Sequence, residues 1–459
     1  MRLTISNEII VTEPTDDMRI WVRDNLTLRN PDFDKKLRLG LWLGGTPQQI
    51  NLYTTRGSEI HLPYGSLSLM PDELLQECTI IDNFRAHTAV DFKAQIPLYP
   101  YQRTAVSKMV LEGGGILRAP AGSGKTQMGL SIIAELKCKT LWICHTLDLI
   151  KQSKDRASLY MDKSLFGTIT GGKVDIGEGI TFATVQTLSS IDLDAHKDEW
   201  ECIVVDECHR VSGSPTSVTR YQKVLSRLSA RYKYGLSATV HRADGLIQAT
   251  KALIGKVEYT VPDEAVVDTT MQVGIHPIST SVGMSDKCLN GDGTINYSKL
   301  ISYLCDNQYR CDLIADYISA ERRPTLILSD RIEHLISLQA KLPIVLQLQS
   351  VVINGKTKKD IRERALDDMR QGKLLYLFAT YALAKEGLDI PRLERLFLTT
   401  PQKDYAIVTQ SVGRIARKTQ GKDNPIVYDF VDNIRYLVNS YKQRCGVYRK
   451  NNCYFVETL

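Results

Sequence analysis

The sequence predicts an α/β protein in which two tandem parallel-sheet domains follow a small N-terminal α/β accessory module. Three observations carry that expectation. The 459 residues exceed what a single hydrophobic core usually supports. From about Tyr99, short apolar runs alternate with helical stretches: Gly115-Ile116-Leu117, Leu141-Trp142-Ile143-Cys144, Ile180-Thr181-Phe182-Ala183, Cys202-Ile203-Val204-Val205 and Tyr234-Gly235-Leu236. A second series begins near Pro324, with Leu326-Ile327-Leu328, Val351-Val352-Ile353, Leu375-Tyr376-Leu377-Phe378, Leu396-Phe397-Leu398 and Ile426-Val427-Tyr428. Uninterrupted apolar strands separated by helices belong to parallel sheets covered on both faces.

In chain order, residues 1–95 read as the accessory module, a candidate DNA-binding or substrate module. Ile20-Trp21-Val22 and Gln49-Ile50-Asn51-Leu52-Tyr53 are its expected strands, and Asn30-Pro31-Asp32 and Gly44-Gly45-Thr46-Pro47 its turns. The first large domain is expected over 96–278 and the second over 299–432. A polar connection covers 279–298, and a C-terminal extension covers 433–459.

Composition narrows the class. Hydrophobic residues at 43% and charged residues at 24% are ordinary for a soluble globular protein. No run approaches the ~18 apolar residues that a membrane span requires, and the opening Met1-Arg2-Leu3-Thr4 speaks against a signal peptide. The expectation is a cytoplasmic protein of a bacterial cell or a phage-infected host. The ten cysteines form no C-x-x-C pair and have no histidines at ligand spacing, so no zinc site is expected. The net charge of +6 is uneven: residues 1–95 hold 10 basic and 13 acidic side chains, and the remainder 48 and 39. A basic excess in the larger part suits a polyanionic partner, although a solvated surface would look the same.

Two motifs carry the chemistry. Ala119-Pro120-Ala121-Gly122-Ser123-Gly124-Lys125-Thr126 follows an expected strand and opens a helical stretch. Its glycines let backbone N–H groups face phosphate oxygens. Lys125 is placed to reach the β- and γ-phosphates of ATP, and the Thr126 hydroxyl to ligate Mg²⁺. The second motif, Val204-Val205-Asp206-Glu207-Cys208-His209, puts two acids at the C-terminal end of an apolar strand, where parallel sheets hold ligands. Asp206 suits Mg²⁺, and Glu207 the attacking water. Taken alone, the pair reads equally well as a polar strand end.

Phosphate loop, Asp-Glu-Cys-His and then Ser237-Ala238-Thr239, in that order, resemble a superfamily 2 helicase of the DExH type. The second half agrees: Ala379 to Pro391 resembles that family's motif V, and Gln410-Ser411-Val412-Gly413-Arg414-Ile415-Ala416-Arg417 its motif VI. The resemblance covers about residues 96–432 and implies two RecA-like domains. It further implies that Gln410, Arg414 and Arg417 complete the ATP site, the arginines stabilising transition-state charge, with Gly387 and Asp389 beside the nucleotide. Gln102 is implied to read adenine, since an amide both donates and accepts. Ser237, Thr239 and His209 are implied to couple the ATP site to the nucleic-acid site. Contacts to nucleic acid are implied for Thr146, Gly171, Gly172, Thr184, Gln186, Ser329, Arg331 and Thr380; hydroxyls and glycines hold phosphates without reading sequence. Each of these hydroxyls, taken singly, reads equally as a helix cap.

Cys208-His209, Glu386 and Gln410 are more similar to the DNA-directed branch that contains XPB and the phage recombination helicase UvsW than to the RNA-associated DEAD-box group. That branch implies an ATP-dependent DNA helicase acting on branched or forked DNA in recombination, replication and repair; the sequence shows no self-association element, so a monomer is expected. A duplex translocase that does not separate strands is the runner-up, and a catalytically silent DNA-binding scaffold the reading from another class.

Overall fold

The computed structural model describes the chain except residues 87, 121, 240–244, 267–270, 386, 387, 389, 420 and 457–459, and of residues 359 and 385 it describes the backbone only. Two compact units make up the chain, one formed by residues 1–120 with 124–262 and the other by residues 121–123 with 263–459.

The first unit contains two sheets of contrasting kinds. An eight-stranded sheet runs, edge to edge, Lys173–Asp175, Phe166–Thr170, Ile180–Thr184, Thr140–Cys144, Cys202–Asp206, Tyr232–Ser237, Gly114–Arg118 and Val257–Thr260. It is parallel apart from the terminal hairpin 166–175. The strands Thr140–Cys144, Ile180–Thr184 and Cys202–Asp206 are buried at every position, because helices cover both faces and leave no solvent side for polar residues. A smaller, mostly antiparallel sheet orders Thr54–Arg56, Glu59–Pro63, Glu8–Thr12, Arg2–Ile5 and Thr79–Asp82. Its core is continuous with Val218, Leu246, Ala249 and Ala252 of the larger subdomain, so the accessory module is docked onto the motor sheet.

Two neighbouring residues, Tyr64 and Gly65, bring the module close to the larger subdomain. Tyr64 donates its hydroxyl to the Arg231 carbonyl at 2.7 Å, and its ring lies 4.8 Å from the Lys233 ammonium. At Gly65 a Cβ would come within 2.5–2.6 Å of the backbone at Lys251, Ile254 and Gly255. Only glycine permits that approach.

The second unit is built on a seven-stranded, wholly parallel sheet ordered Ser350–Ile353, Tyr376–Thr380, Thr325–Ser329, Arg395–Leu398, Ile426–Val431, Gly274–Ser279 and Tyr454–Phe455. Both units are thus parallel-sheet α/β bodies, as the alternation of apolar runs and helices predicts.

Three expectations are corrected. Ile20-Trp21-Val22 is not a strand but part of the helix Asp16–Leu26, capped by the Thr15 hydroxyl, which accepts from the Met18 amide. Its buried residues Met18, Val22 and Leu26 recur every four positions, and that period outweighs a short β-branched run. Residues 279–298 are not a free connection. Gly274–Ser279 already belongs to the second sheet, and Val282 and Cys288 sit in a core with Leu300, Ile301, Leu304 and Leu437. Nor do residues 433–459 form an extension. The helix Arg435–Lys450 buries Leu437, Ser440, Arg444, Val447 and Tyr448, and Tyr454–Phe455 adds a strand. A buried ion pair fastens that helix: Arg444 meets Asp429 through Nε and Nη2 at 2.8 Å each, and Tyr448 donates to the same carboxylate at 2.7 Å.

Candidate active site

The phosphate loop joins the strand Gly114–Arg118 to the helix Lys125–Leu136. Gly124, at φ +79°, is the N-cap, and a Cβ there would lie 2.5 Å from the Gln102 amide nitrogen. Gly122 is also left-handed, at φ +83°. Position 124 therefore favours glycine by backbone conformation, and any side chain there would have to displace the Gln102 amide. Gln102 itself is buried, and its Oε1 accepts from the Tyr99 amide at 2.9 Å in a reciprocal cap of the helix Pro100–Glu112. The helix Lys125–Leu136 then lies close on the sheet because Gly129 faces the side chains of Leu236 and Trp142, where a Cβ would stand at 2.7–2.8 Å. Ser123 is buried, Thr126 is the second residue of the helix, and the Lys125 ammonium rests 3.4 Å from the Ala119 and Pro120 carbonyls. Ala121 lies outside the described residues.

Asp206 ends the strand Cys202–Asp206 and is 4% exposed. Its carboxylate accepts from the Glu207 amide at 3.0 Å and from the Ser153 hydroxyl at 3.4 Å. Burial first, then the charge of Glu207, hold its pKa well above the usual carboxylate range; Lys125 and the hydrogen bonds oppose them. Glu207 follows at φ +50°, a conformation uncommon for a residue with a side chain. Cys208 packs into the hollow left by Gly235, where a Cβ would stand 2.8 Å from its sulfur, and that contact fixes the start of the turn.

His209, Ser237 and Thr239 form one hydrogen-bonded chain. Ser237 donates to the Thr239 carbonyl at 2.7 Å and accepts from the Thr239 amide at 3.1 Å. With its single proton so used, its 3.0 Å contact to His209 Nδ1 requires that nitrogen to donate. The same Nδ1 lies 3.3 Å from Glu207 Oε2. Sequence reasoning missed Ser153. Ile150, Ser153 and Ala157 are the buried residues of the helix Leu147–Ala157, and a serine in an apolar stripe is the signal that marks it.

Among the expected nucleic-acid contacts, four hydroxyls accept from nearby amides, three of them (Thr146, Thr184 and Thr380) as helix caps and Ser329 in a local turn before the helix Ile332–Ala340. Thr146 accepts from the Leu149 amide at 3.3 Å, Thr184 from Thr187, Ser329 from Arg331, and Thr380 from Leu383. For Ser329 direct contact through the side chain is corrected: the hydroxyl is fully buried against His334 Nδ1 at 3.1 Å. Thr184 is 5% exposed and its hydroxyl lies 2.9 Å from that of Thr187, so the same correction applies. Capping prevails because it satisfies amides that would otherwise be orphaned. Gly171 and Gly172, at φ +57° and +81°, turn the hairpin 166–175, with open space where a Cβ would stand. Gln186 is half-buried, and Arg331 donates to the Ser298 hydroxyl at 3.0 Å.

In the second unit, Gln410 and Arg414 lie one turn apart on the helix Tyr405–Ile415, with Arg417 just past its end. Arg414 Nη1 donates to the Leu388 carbonyl at 3.1 Å. Gly387 and Asp389 lie outside the described residues.

Comparison with known proteins places these motifs. Residues 95–242 match the family described as the res subunit of type III restriction enzymes, and residues 308–419 match the helicase conserved C-terminal domain. The chain is a superfamily 2 helicase. Membership carries ATP-dependent helicase activity and nucleic-acid binding with it. A protein of Acanthamoeba polyphaga mimivirus, named as an ATP-dependent RNA helicase, is 28% identical to this helicase over 400 residues, 83% of this chain and 72% of its own. A DNA 3′–5′ translocase XPB2 of Sulfurisphaera tokodaii is 24% identical over 71% of this chain and 80% of its own. The structure of Saccharomyces cerevisiae Dbp5 bound to RNA and ADP BeF3 covers 79% of this helicase and 94% of its own chain at a TM-score of 0.54 and 16% identity, a likeness of fold.

The donor set fits a nucleotide-bound Mg²⁺. Asp206 and Thr126 offer hard oxygen ligands, and Asp206 is a buried carboxylate that forms no ion pair among the described residues. His209 Nε2 and Gln410 Oε1 are buried without a hydrogen-bond partner among the described residues, as expected of groups that await a ligand.

Proposed function

We propose that this helicase couples ATP hydrolysis to movement along DNA and acts on branched or forked duplexes in recombination, replication and repair. The observation that carries the reading is the buried Asp206 carboxylate, set between Glu207 and Lys125 at the end of its strand. Mg²⁺, held by Asp206 and Thr126, would neutralise charge on the β- and γ-phosphates. Lys125 binds the same phosphates, and Glu207, oriented by His209, takes a proton from the attacking water. Gln410, Arg414 and Arg417 are assigned to the developing transition-state charge. Thr146, Gly171, Gly172, Gln186, Arg331 and Thr380 remain the proposed phosphate contacts, those at helix starts acting through backbone N–H groups.

DNA is favoured because several relatives are named as XPB-type DNA translocases or helicases of 3′–5′ polarity, and the proposal takes that polarity. Viral proteins recur among the relatives, which supports work in an infected host. A second reading, RNA unwinding, has the name of the mimivirus relative in its favour. The test measures ATP turnover and strand separation on a linear partial duplex, a fork, a four-way junction, an RNA–DNA hybrid and single-stranded RNA at fixed salt. The fork and junction are expected to stimulate most. Glu207→Gln is expected to bind ATP yet turn it over on the order of 10²–10⁴-fold more slowly. Stronger stimulation by single-stranded RNA than by any DNA would overturn the DNA assignment.

A further inference from the structure

We infer that the accessory module carries a nucleobase-stacking site at Trp42. The site sits on a closed loop of residues 30–48, and its ligand is the exposed face of a base at a strand end or branch. Trp42 is 87% exposed, more than any other large apolar side chain among the described residues. An indole offers about 200 Å² of apolar surface, and leaving it in water calls for a reason.

The loop is built to present the ring. At its base the strands Thr27–Arg29 and Gln49–Asn51 pair. Asn30, 2% exposed, donates its amide N–H to the Gln48 carbonyl at 3.0 Å and its side-chain nitrogen to the Pro47 carbonyl at 2.7 Å. Its Oδ1 accepts from the Asp32 amide and so starts the helix Pro31–Arg38. Higher up, the Lys36 ammonium reaches the Thr46 hydroxyl at 2.7 Å, and the Leu41 amide returns to the Lys36 carbonyl at 2.9 Å. At Gly44, φ +51°, a Cβ would lie 2.8–3.1 Å from three atoms of the six-membered ring of Trp42. The indole therefore leans on bare backbone, in a conformation only glycine adopts readily. A stacking ring held in place in advance loses little freedom on binding.

Charge points to the ligand. The loop 30–48 holds Lys35, Lys36 and Arg38 against Asp32 and Asp34, with no carboxylate after Asp34. Lys35 and Arg38 are exposed and form no ion pair among the described residues, and Asp34 is already engaged by Arg29 at 2.6 Å. Exposed Leu41 flanks the indole. An aromatic platform with an apolar neighbour and cations on the helix that leads to it suits a base and its phosphates.

The inference rests on the proposal that the helicase is driven by nucleic acid, and the experiment separates the two. The full chain has four tryptophans; Trp142 and Trp200 are buried and Trp21 half-buried. Tryptophan emission and fluorescence-anisotropy binding are followed on titration with a short oligo(dT), an oligo(rU), a covalently closed duplex and phosphatidylglycerol vesicles, with ATP turnover recorded alongside. Both single strands are expected to quench emission, the closed duplex far less, and Trp42→Phe to remove most of the quench. Trp42→Ala is expected to weaken single-strand binding about 5- to 150-fold, and Lys35→Gln with Arg38→Gln to flatten its salt dependence. Wild-type turnover stimulated by nucleic acid, with oligo(dT) affinity unchanged in Trp42→Ala, overturns this inference alone. Absence of stimulation in the wild type removes the nucleic-acid-driven reading as well. An emission change with vesicles and none with oligonucleotides assigns the loop to a membrane surface and overturns the inference.

Discussion

Buried charge is treated in opposite ways in the two units. In the second, Asp432 receives Arg310 Nε at 2.7 Å, Arg310 Nη2 at 3.2 Å and the Thr280 hydroxyl at 2.6 Å. Asp429 receives two guanidinium bonds and the Tyr448 hydroxyl. In the first, Asp206 is nearly as deeply buried, yet among the described residues it has only the Glu207 amide and the Ser153 hydroxyl as hydrogen-bond donors. A carboxylate matched by a guanidinium joins a strand to a helix and asks for nothing more. One buried beside another acid resists ionisation, and a cation brought by the nucleotide relieves that cost.

The comparison breaks if the paired charges turn out to be dispensable. Arg444→Met leaves Asp429 buried with the Tyr448 hydroxyl alone, and is expected to destabilise the second unit by about 3–5 kcal/mol in urea unfolding. The double variant Arg444→Met with Asp429→Leu is expected to recover most of that loss, since replacing both charges removes the uncompensated carboxylate. A single variant as stable as wild type would mean that the pair does not fasten the C-terminal helix.

How much of this was legible follows from the same physics. Most strands of the two parallel sheets were readable because burial on two faces leaves unbroken apolar runs, as at Cys202–Asp206. The phosphate loop and the Asp206-Glu207 pair were readable because their chemistry tolerates few residue types. Gly274–Ser279 escaped because His276 and Pro277 interrupt its run at a sheet position whose burial pattern is mixed. The helix Arg435–Lys450 escaped because the residue that anchors it, Arg444, looks like a surface charge until Asp429 is seen opposite. Thr184 and Ser329 were ambiguous because a cap or local turn and a phosphate contact demand the same hydroxyl, and only burial separates them.

A smaller effect is expected where a single charge is buried without a carboxylate in contact. Lys233 is 1% exposed; its ammonium donates to the Leu225 carbonyl at 3.2 Å and the Asn7 carbonyl at 3.4 Å. Burial pulls its pKa down to about 7 from 10.5, with Glu8 opposing. Between those values the unfolded chain binds more protons, so stability rises with pH across the window and falls as pH drops toward 7. Lys233→Met is expected to remove that slope in a Tm-versus-pH series. Its net effect near pH 7 is on the order of 1 kcal/mol, because two carbonyls lose a donor as the penalty disappears. An unchanged slope would assign the pH dependence to other groups.

The smallest loss of stability and the sharpest contrast belong to Asp206→Asn. A carboxyl whose folded pKa is raised contributes most when protonated, below the ordinary range near ~4, and loses that contribution as pH rises through its folded value. The amide does not titrate, so the variant is expected to match wild type at low pH. By pH 7.5 it should exceed wild type, because only the wild-type carboxyl bears the cost of ionising beside Glu207 in a buried site. Magnesium and a non-hydrolysable ATP analogue should raise the melting temperature of wild type and leave the variant nearly unmoved, with ATP turnover lost. If Asp206→Asn instead unfolds as readily as Arg444→Met, Asp206 is structural charge like Asp429, and the cation that completes it must be sought within the protein itself.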